Sequence, residues 1–331
     1  MKLSIIIPVY NVELYIEKCL LSVLNQSNLN DTEIILVDDC GTDNSMDVVK
    51  KIVREYSNSY NIKIISHIQN QGLSAARNTG VRNAEGDYLF FLDSDDELPE
   101  NTIVTFNNYL NKYENVDFFV GNYIINGPFN GIILNNRKIE YENNNEILNA
   151  YINNEWYVMA CGKFISRQFF ISNDLWFPKK RLHEDELFSF KLALCAKTMV
   201  VIEEYSYRYI IRSNSITSLK RRKNYIDYFW IITRKIDLFN KSHIDSKSDI
   251  NKSMDNYLKQ LLFNYIVFVV LSKLKKNEKI ILLKWTKNKY KHFKWMQISL
   301  KNLVSDFIMI FSPCFIMFII DLIFNRKSRA S

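Results

Sequence analysis

An α/β fold on a mostly parallel sheet is the class that the sequence predicts, and two observations carry it. Short apolar, β-branched runs alternate with segments of helical periodicity over the first third of the chain, and each run stops at polar or acidic residues. The first run, Leu3-Ser4-Ile5-Ile6-Ile7-Pro8-Val9-Tyr10, predicts a buried strand closed by proline, with Asn11 as the turn or cap after it. Val12, Ile16, Cys19, Leu20, Val23 and Leu24 then recur at helical spacing and predict an amphipathic helix as far as Gln26. Residues 33–37 are the second strand, which runs into Asp38 and Asp39. A turn and cap over 40–45 leads to a helical stripe of Met46, Val49, Ile52, Val53 and Tyr56. Residues 62–65 are a third strand, and 69–74 a loop that opens a helix through Ala75, Ala76, Arg77 and Asn78.

The next strand, Tyr88-Leu89-Phe90-Phe91-Leu92, has the continuous apolar character of a strand covered on both faces, and it ends in Asp93-Ser94-Asp95-Asp96. Several carboxylates at one sheet edge are costly unless a cation or hydrogen-bond donors meet them. Hard divalent ions such as Mg²⁺ or Mn²⁺ take oxygen ligands and share them with substrate phosphates, so Asp93 and Asp95 are candidate metal ligands. The competing reading makes the same acids the N-terminus of the following helix. In sheets of this kind ligands bind beyond the carboxyl ends of the strands. Pro8, Asn11, Asp39, Asn70, Arg77 and Asp93 all fall on that edge.

Composition narrows the class further. The 331 residues are 47% hydrophobic and 14% aromatic, with 8 glycines and 5 prolines, which excludes a disordered or fibrous chain. The net charge of +7 is made mostly in the last third, where lysine, arginine and aromatic residues mix. The five cysteines show no Cys-X-X-Cys pair and suggest reduced thiols, and no signal peptide is expected at the N-terminus, which places the expected chemistry in the cytoplasm. Neither Gly-X-Gly-X-X-Gly after the first strand nor a Walker-type loop occurs. Phosphates would therefore be held by metal, a helix N-terminus and Arg77.

The middle of the chain is less regular. Residues 117–121 and 131–134 are expected strands, and so are 199–202 and 205–211. His183-Glu184-Asp185-Glu186 opens a helix, a favourable place for acids on dipole grounds alone and also a good place for a catalytic carboxylate. A His-Glu-X-X-His zinc helix is ruled out because position 187 is leucine.

Taken together, Ser4-Ile5-Ile6-Ile7-Pro8-Val9-Tyr10-Asn11, Val37-Asp38-Asp39, Thr42-Asp43-Asn44-Ser45, Asn70 through Asn78, Asp93-Ser94-Asp95 and Glu184-Asp185 resemble the inverting nucleotide-sugar glycosyltransferases of family 2, in order and spacing, over about residues 2–217. The nearest likeness is to bacterial enzymes of capsule, O-antigen or lipooligosaccharide synthesis. The resemblance implies a GT-A fold and a Mn²⁺ or Mg²⁺ cofactor. It implies donor contacts from Pro8, Tyr10, Asn11, Asp39, Asn70, Gly72, Arg77, Asp93 and Ser94, with Asp39 near the uracil of a UDP-sugar and Arg77 near the diphosphate. Asp95, with Asp93, would hold the metal, and Asp185 would be the general base; the residues alone leave Glu184 as the other candidate. Cys40-Gly41 departs from the Gly-Ser or Asn-Ser more usual after the paired acids. The implied acceptor is a saccharide, lipid-linked on undecaprenyl diphosphate.

The expected domains are a catalytic domain over 1–218, with a nucleotide-sugar half to residue 100 and an acceptor half after it, and a helical basic region over 219–331. Its hydrophobic segment 307–324, broken by Pro313 and Asp321 and flanked by basic residues, predicts an interfacial anchor on the inner face of the membrane. A core helix and a single span are the rival readings. Against the enzyme stands a non-catalytic metal-binding module, and the rival transferases are a retaining enzyme of similar fold and a nucleotidyltransferase; no nucleic-acid motif is present.

Overall fold

The computed structural model describes residues 2–56, 59–126, 138–211, 221–242, 244–245, 247–290, 312–318 and 320. The chain divides into two compact units, Met1–Ser218 and Leu219–Ser331.

In the first unit β1 (Leu3–Val9), α1 (Ile16–Leu24), β2 (Thr32–Asp38), α2 (Ser45–Tyr56), β3 (Asn61–Ser66), α3 (Leu73–Asn83) and β4 (Tyr88–Phe91) alternate as expected. They are followed by α4 (Thr102–Lys112), β5 (Phe118–Asn126), β6 (Glu140–Tyr141), α5 (Asn144–Ile152), β7 (Lys163–Ser166), α6 (Arg167–Ser172), α7 (Glu184–Cys195) and β8 (Met199–Ile210). All eight strands form one sheet in the order β3-β2-β1-β4-β7-β5-β8-β6. The β3-β2-β1-β4 half is parallel, whereas β7 runs antiparallel to both β4 and β5, and β6 antiparallel to β8.

Every residue of β1 and β4 is buried, which is why both read as continuous apolar runs. Pro8 is tolerated in this central strand because the ladder to β4 ends at Ile6–Phe91, so the edge where its N–H would point has already parted. Helix α1 begins later than its apolar stripe suggests. Residues 12–13 are held by side chains from the 43–45 turn, with Val12 N donating to Ser45 Oγ at 2.8 Å and Glu13 N to Asp43 Oδ2 at 2.9 Å. The two expected runs at 199–202 and 205–211 are one strand, β8, paired to β5 with an irregularity at Asn122. The acids at 93–96 do not start a helix; α4 is capped at Asn101 instead. Residues 131–134 lie outside the described residues.

Helix α3 lies close against the sheet because small residues face it. Ser74, Ala75, Ala76, Gly80 and Val81 are all buried, and a Cβ on Gly80 would fall 2.3 Å from Ile6 Cγ2.

The second unit contains α8 (Arg222–Lys241), α9 (Asp249–Val270) and α10 (Lys276–Tyr290), with α9 packed on both others. Tyr265, fully buried, donates to Tyr225 O at 3.0 Å, and Tyr225 stacks on Phe268 with ring centroids 4.5 Å apart. Among the described residues no helix is long and apolar enough to cross a membrane, and most of 307–324 lies outside them.

Gly80→Ala pits a gain of about 1 kcal/mol in helix propensity against overpacking of about 1–3 kcal/mol, since Ile6 is fully buried and cannot move aside. A net loss of stability is expected, measured as a lower midpoint of urea unfolding; an unchanged or higher midpoint would show that α3 can lift off the sheet freely.

Candidate active site

The carboxyl ends of β1, β2 and β4 and the N-termini of α3 and α7 contribute the side chains of one polar region, and three networks organise it.

The first fixes the loops after β1 and β2. Asn11, in the left-handed region at φ 51°, accepts from Thr42 N at 2.8 Å, and Asn44 N donates to Glu13 Oε2 at 3.0 Å. Thr42, Asp43, Asn44 and Ser45 thus brace the loop that presents Tyr10 and Asn11, both exposed. Cys40 sits at φ 58°, in the left-handed region that glycine and asparagine adopt most readily.

The second is centred on Asp39, which is 2% exposed. Its Oδ1 accepts from Gln71 N at 2.8 Å and meets His67 Nδ1 at 2.7 Å. Its Oδ2 accepts from Gly72 N at 2.8 Å and Asn70 Nδ2 at 3.0 Å. A carboxylate offers about four lone-pair sites, and here all four are used. Asp39 therefore orders the loop that carries Asn70 and Gly72, and it can meet a nucleobase only by exchanging one of these bonds. Gly72 has φ 87°, which a larger residue would adopt only with strain.

The third joins the two sides of the site through Arg77. Its side chain is 3% exposed; one terminal nitrogen donates to Asp93 Oδ1 at 2.7 Å and the other to Glu184 Oε1 at 3.0 Å. The guanidinium lies 5.3 Å from the Phe177 ring centroid. Asn78, one residue on, clamps Phe177 by both backbone groups, accepting from its N at 3.0 Å and donating to its O at 2.9 Å. Arg77 was expected at the diphosphate. Buried as it is and paired at both terminal nitrogens, it meets a phosphate oxygen only by giving up a carboxylate.

Glu184 is thus tied to a cation, whereas Asp185, next in the chain, accepts from Glu186 N at 2.9 Å. Burial pushes its carboxyl up to about 7, and the flanking Glu184 and Glu186 carboxylates push the same way against Arg77. Asp96 is pushed up to about 8 by burial and by Asp93 and Asp95, and it accepts from Tyr207 Oη at 2.5 Å and Ile210 N at 2.7 Å. It pins the end of β8 to the β4 edge.

Asp93 and Asp95 are half-buried and Ser94 is buried. Among the described residues no three carboxylate, imidazole or thiol groups are grouped to enclose a metal. Two hard oxygen ligands are nevertheless the donor set that Mg²⁺ or Mn²⁺ uses when substrate phosphates complete its shell, and Asp93 keeps its Oδ2 outside the Arg77 bond. The residues fit such an ion. His67, Tyr207 and Phe177 carry no motif signal, since each acts through a contact distant along the chain, and Asp96, visible in the acidic run, gives no sign of the bonds that it makes.

Replacing Arg77 with Met would leave Asp93 and Glu184 without their shared cation. A loss of about 3 kcal/mol in unfolding free energy is expected, the low end for a broken buried pair because Asp93 is 30% exposed. Part of that loss should return when Asp93→Asn and Glu184→Gln are added; no loss in the single variant would mean that the bridge is not structural.

Comparisons with known proteins give the family and the fold. A glycosyltransferase of Streptococcus pneumoniae, GlyA, is 33% identical over 232 residues, covering 67% of this chain and 32% of its own length. A poly(ribitol-phosphate) beta-glucosyltransferase of Bacillus spizizenii is 31% identical over 215 residues, covering 64% of this chain and 32% of its own. The chain thus spans about a third of the length of these curated relatives. The crystal structure of Staphylococcus aureus TarS residues 1–349 in complex with UDP-GlcNAc superposes with a TM-score of 0.71 at 23% identity, covering 87% of this chain and 81% of that one, which gives the fold as GT-A-like. The sequence model described as glycosyl transferase family 2 matches residues 4–176, just over half of the 331, and the chain belongs to that family.

Proposed function

We propose that the protein transfers a hexose or N-acetylhexosamine from a nucleotide-diphosphate sugar, a UDP-sugar, to a hydroxyl of a saccharide acceptor, with inversion, in the synthesis of a bacterial surface polysaccharide. The observation that carries this reading is the chain Asp93–Arg77–Glu184 with Asp185 beside it. One guanidinium spans the distance between the acids suited to the donor diphosphate and a carboxylate suited to the acceptor. The names of the relatives, a beta-glucosyltransferase of poly(ribitol-phosphate) among them, and the UDP-GlcNAc bound to the TarS neighbour support the substrate class. An acceptor carried on a lipid such as undecaprenyl diphosphate fits the same setting.

In this reading Asp185 takes the proton from the attacking hydroxyl. An ordinary carboxylate is a weak base; raising it towards neutrality strengthens it while leaving a useful fraction ionised, and a positioned base contributes about 10²–10⁴-fold. A Mn²⁺ or Mg²⁺ ion held by Asp95 and Asp93 would supply Lewis-acid neutralisation of the leaving diphosphate. Glu184 holds Arg77 in place, and the loop ordered by Asp39 presents Asn70 and Gly72 to the nucleotide.

Calorimetric titration with UDP, GDP and dTDP should give metal-dependent binding of one nucleotide, lost in Asp95→Ala and kept in Asp185→Asn, while Asp185→Asn abolishes turnover. Full activity in Asp185→Asn would remove the base assignment; no binding at millimolar nucleotide would remove the donor site. Because the base must be deprotonated and its folded pKa is raised, kcat/KM should climb as pH rises through about 7 and fall about tenfold per unit below it. A profile flat from pH 5 to 8 would contradict this.

Peripheral contact with an anionic membrane surface through the C-terminal segment is part of the same proposal. Phe315 and Phe318 are 42% and 60% exposed, and Lys301, Arg326, Lys327 and Arg329 flank the segment in sequence. The 331-residue chain should float with anionic vesicles and a chain truncated after Ser305 should not; co-flotation of both would place the contact elsewhere.

A further inference from the structure

The loop between β3 and α3 is held by more than Asp39. His67 follows β3 directly and extends its ladder, donating from its backbone N to Asp38 O at 2.9 Å. Its imidazole is 6% exposed and both ring nitrogens are used: Nδ1 lies 2.7 Å from Asp39 Oδ1 and Nε2 lies 2.9 Å from Thr79 Oγ1 on α3. Asp39 also meets three other donors, two backbone N–H groups and the Asn70 amide. A carboxylate so surrounded acts as acceptor throughout, so Nδ1 carries a proton and donates it. The Thr79 hydroxyl can then donate to Nε2, and the bonds run in one direction from helix α3 through His67 to Asp39. Asn70 and Gly72 depend on the same carboxylate for their position, and the neighbouring Ile68 side chain is fully exposed, so the loop has little apolar burial to hold it otherwise.

We propose that His67 is a positioning residue for the nucleotide: wedged between Thr79 and Asp39, it orients the Asp39 carboxylate and with it the 69–72 loop, and so sets affinity for the donor's nucleoside diphosphate without touching it. This inference rests on the proposed donor site. Nothing in it requires the imidazole to change charge, and the effect is on the affinity of the ordered loop rather than on the chemical step.

The two ring nitrogens can be replaced separately. Asparagine carries an amide N–H close to the place of Nδ1 and can keep the bond to Asp39, whereas leucine fills similar space with no donor. Calorimetric titration of the full chain with UDP, GDP and dTDP in the presence of Mn²⁺ would first identify the nucleotide that the unaltered protein binds. With that nucleotide, His67→Leu should raise Kd about tenfold or more, His67→Asn should stay within about threefold of the unaltered protein, and Thr79→Val should lie between them. Circular dichroism and the melting temperature without ligand serve as folding controls. Rescue by asparagine together with a near-constant melting temperature is the pattern that a purely structural role would not give. If His67→Leu is folded and binds as tightly as the unaltered protein, or if asparagine and leucine weaken binding equally, the inference is overturned while the donor site stands. If His67→Leu fails to fold, an unchanged Kd in Thr79→Val overturns it. If the unaltered protein binds none of the three nucleotides, the donor site itself falls and the role of His67 falls with it.

Discussion

The site depends on one buried guanidinium. Arg77 is 3% exposed and must be neutralised locally, because an isolated charge in such surroundings would cost several kcal/mol. It meets that need with Asp93 just after β4 and Glu184 at the start of α7, which are far apart in the chain. The bridge therefore does two things at once: it satisfies the arginine, and it fixes the distance between the β4 edge and the acidic end of α7. Asp185 inherits its place from that bond. With Glu184 committed to Arg77, the next carboxylate is left in a partly buried position beside two like charges, which is what raises its pKa.

The rest of the fold serves to hold Arg77 where it is. Helix α3 carries it and can approach the sheet only because Gly80 has no side chain to meet Ile6. Asn78 ties the same helix to Phe177, whose ring lies against the guanidinium. At the helix N-terminus the Asp39 carboxylate gathers the preceding loop by its backbone. The Ala-Ala-Arg-Asn run is thus a fully buried turn of helix in which a charge is set among small residues, fixed by packing and by ion pairing.

Much of this was legible in the sequence where chemistry and periodicity coincide. The parallel half of the sheet showed itself because β1, β2 and β4 are buried on both faces, and the acids at the strand ends marked the edge where polar groups gather. The antiparallel insertion of β7 between β4 and β5 was not legible, because a four-residue strand carrying a buried lysine has no distinctive pattern; Lys163 is fully buried and donates to Tyr157 O and Met159 O. Asp39 and Arg77 stood out by residue type and motif, but their partners could not be foreseen. The saturation of Asp39 by the segment between β3 and α3 and the pairing of Arg77 with Glu184 are set by tertiary contacts spanning 28 to 107 positions, at a range where local sequence carries no signal. For the same reason Asp96 looked like part of a helix start, although its carboxyl is taken by Tyr207 and Ile210.

The central claim is that Asp185 acts as base in a single displacement on the face of the sugar opposite the diphosphate, with Arg77 holding the two sides in register. Proton NMR of the first-formed product from a nucleotide sugar that the protein turns over tests this most directly, because the anomeric coupling constant reports the configuration before mutarotation can blur it. The account predicts an anomeric centre inverted relative to the donor. Retention of configuration would contradict it, since a single displacement assisted by one base cannot give that outcome.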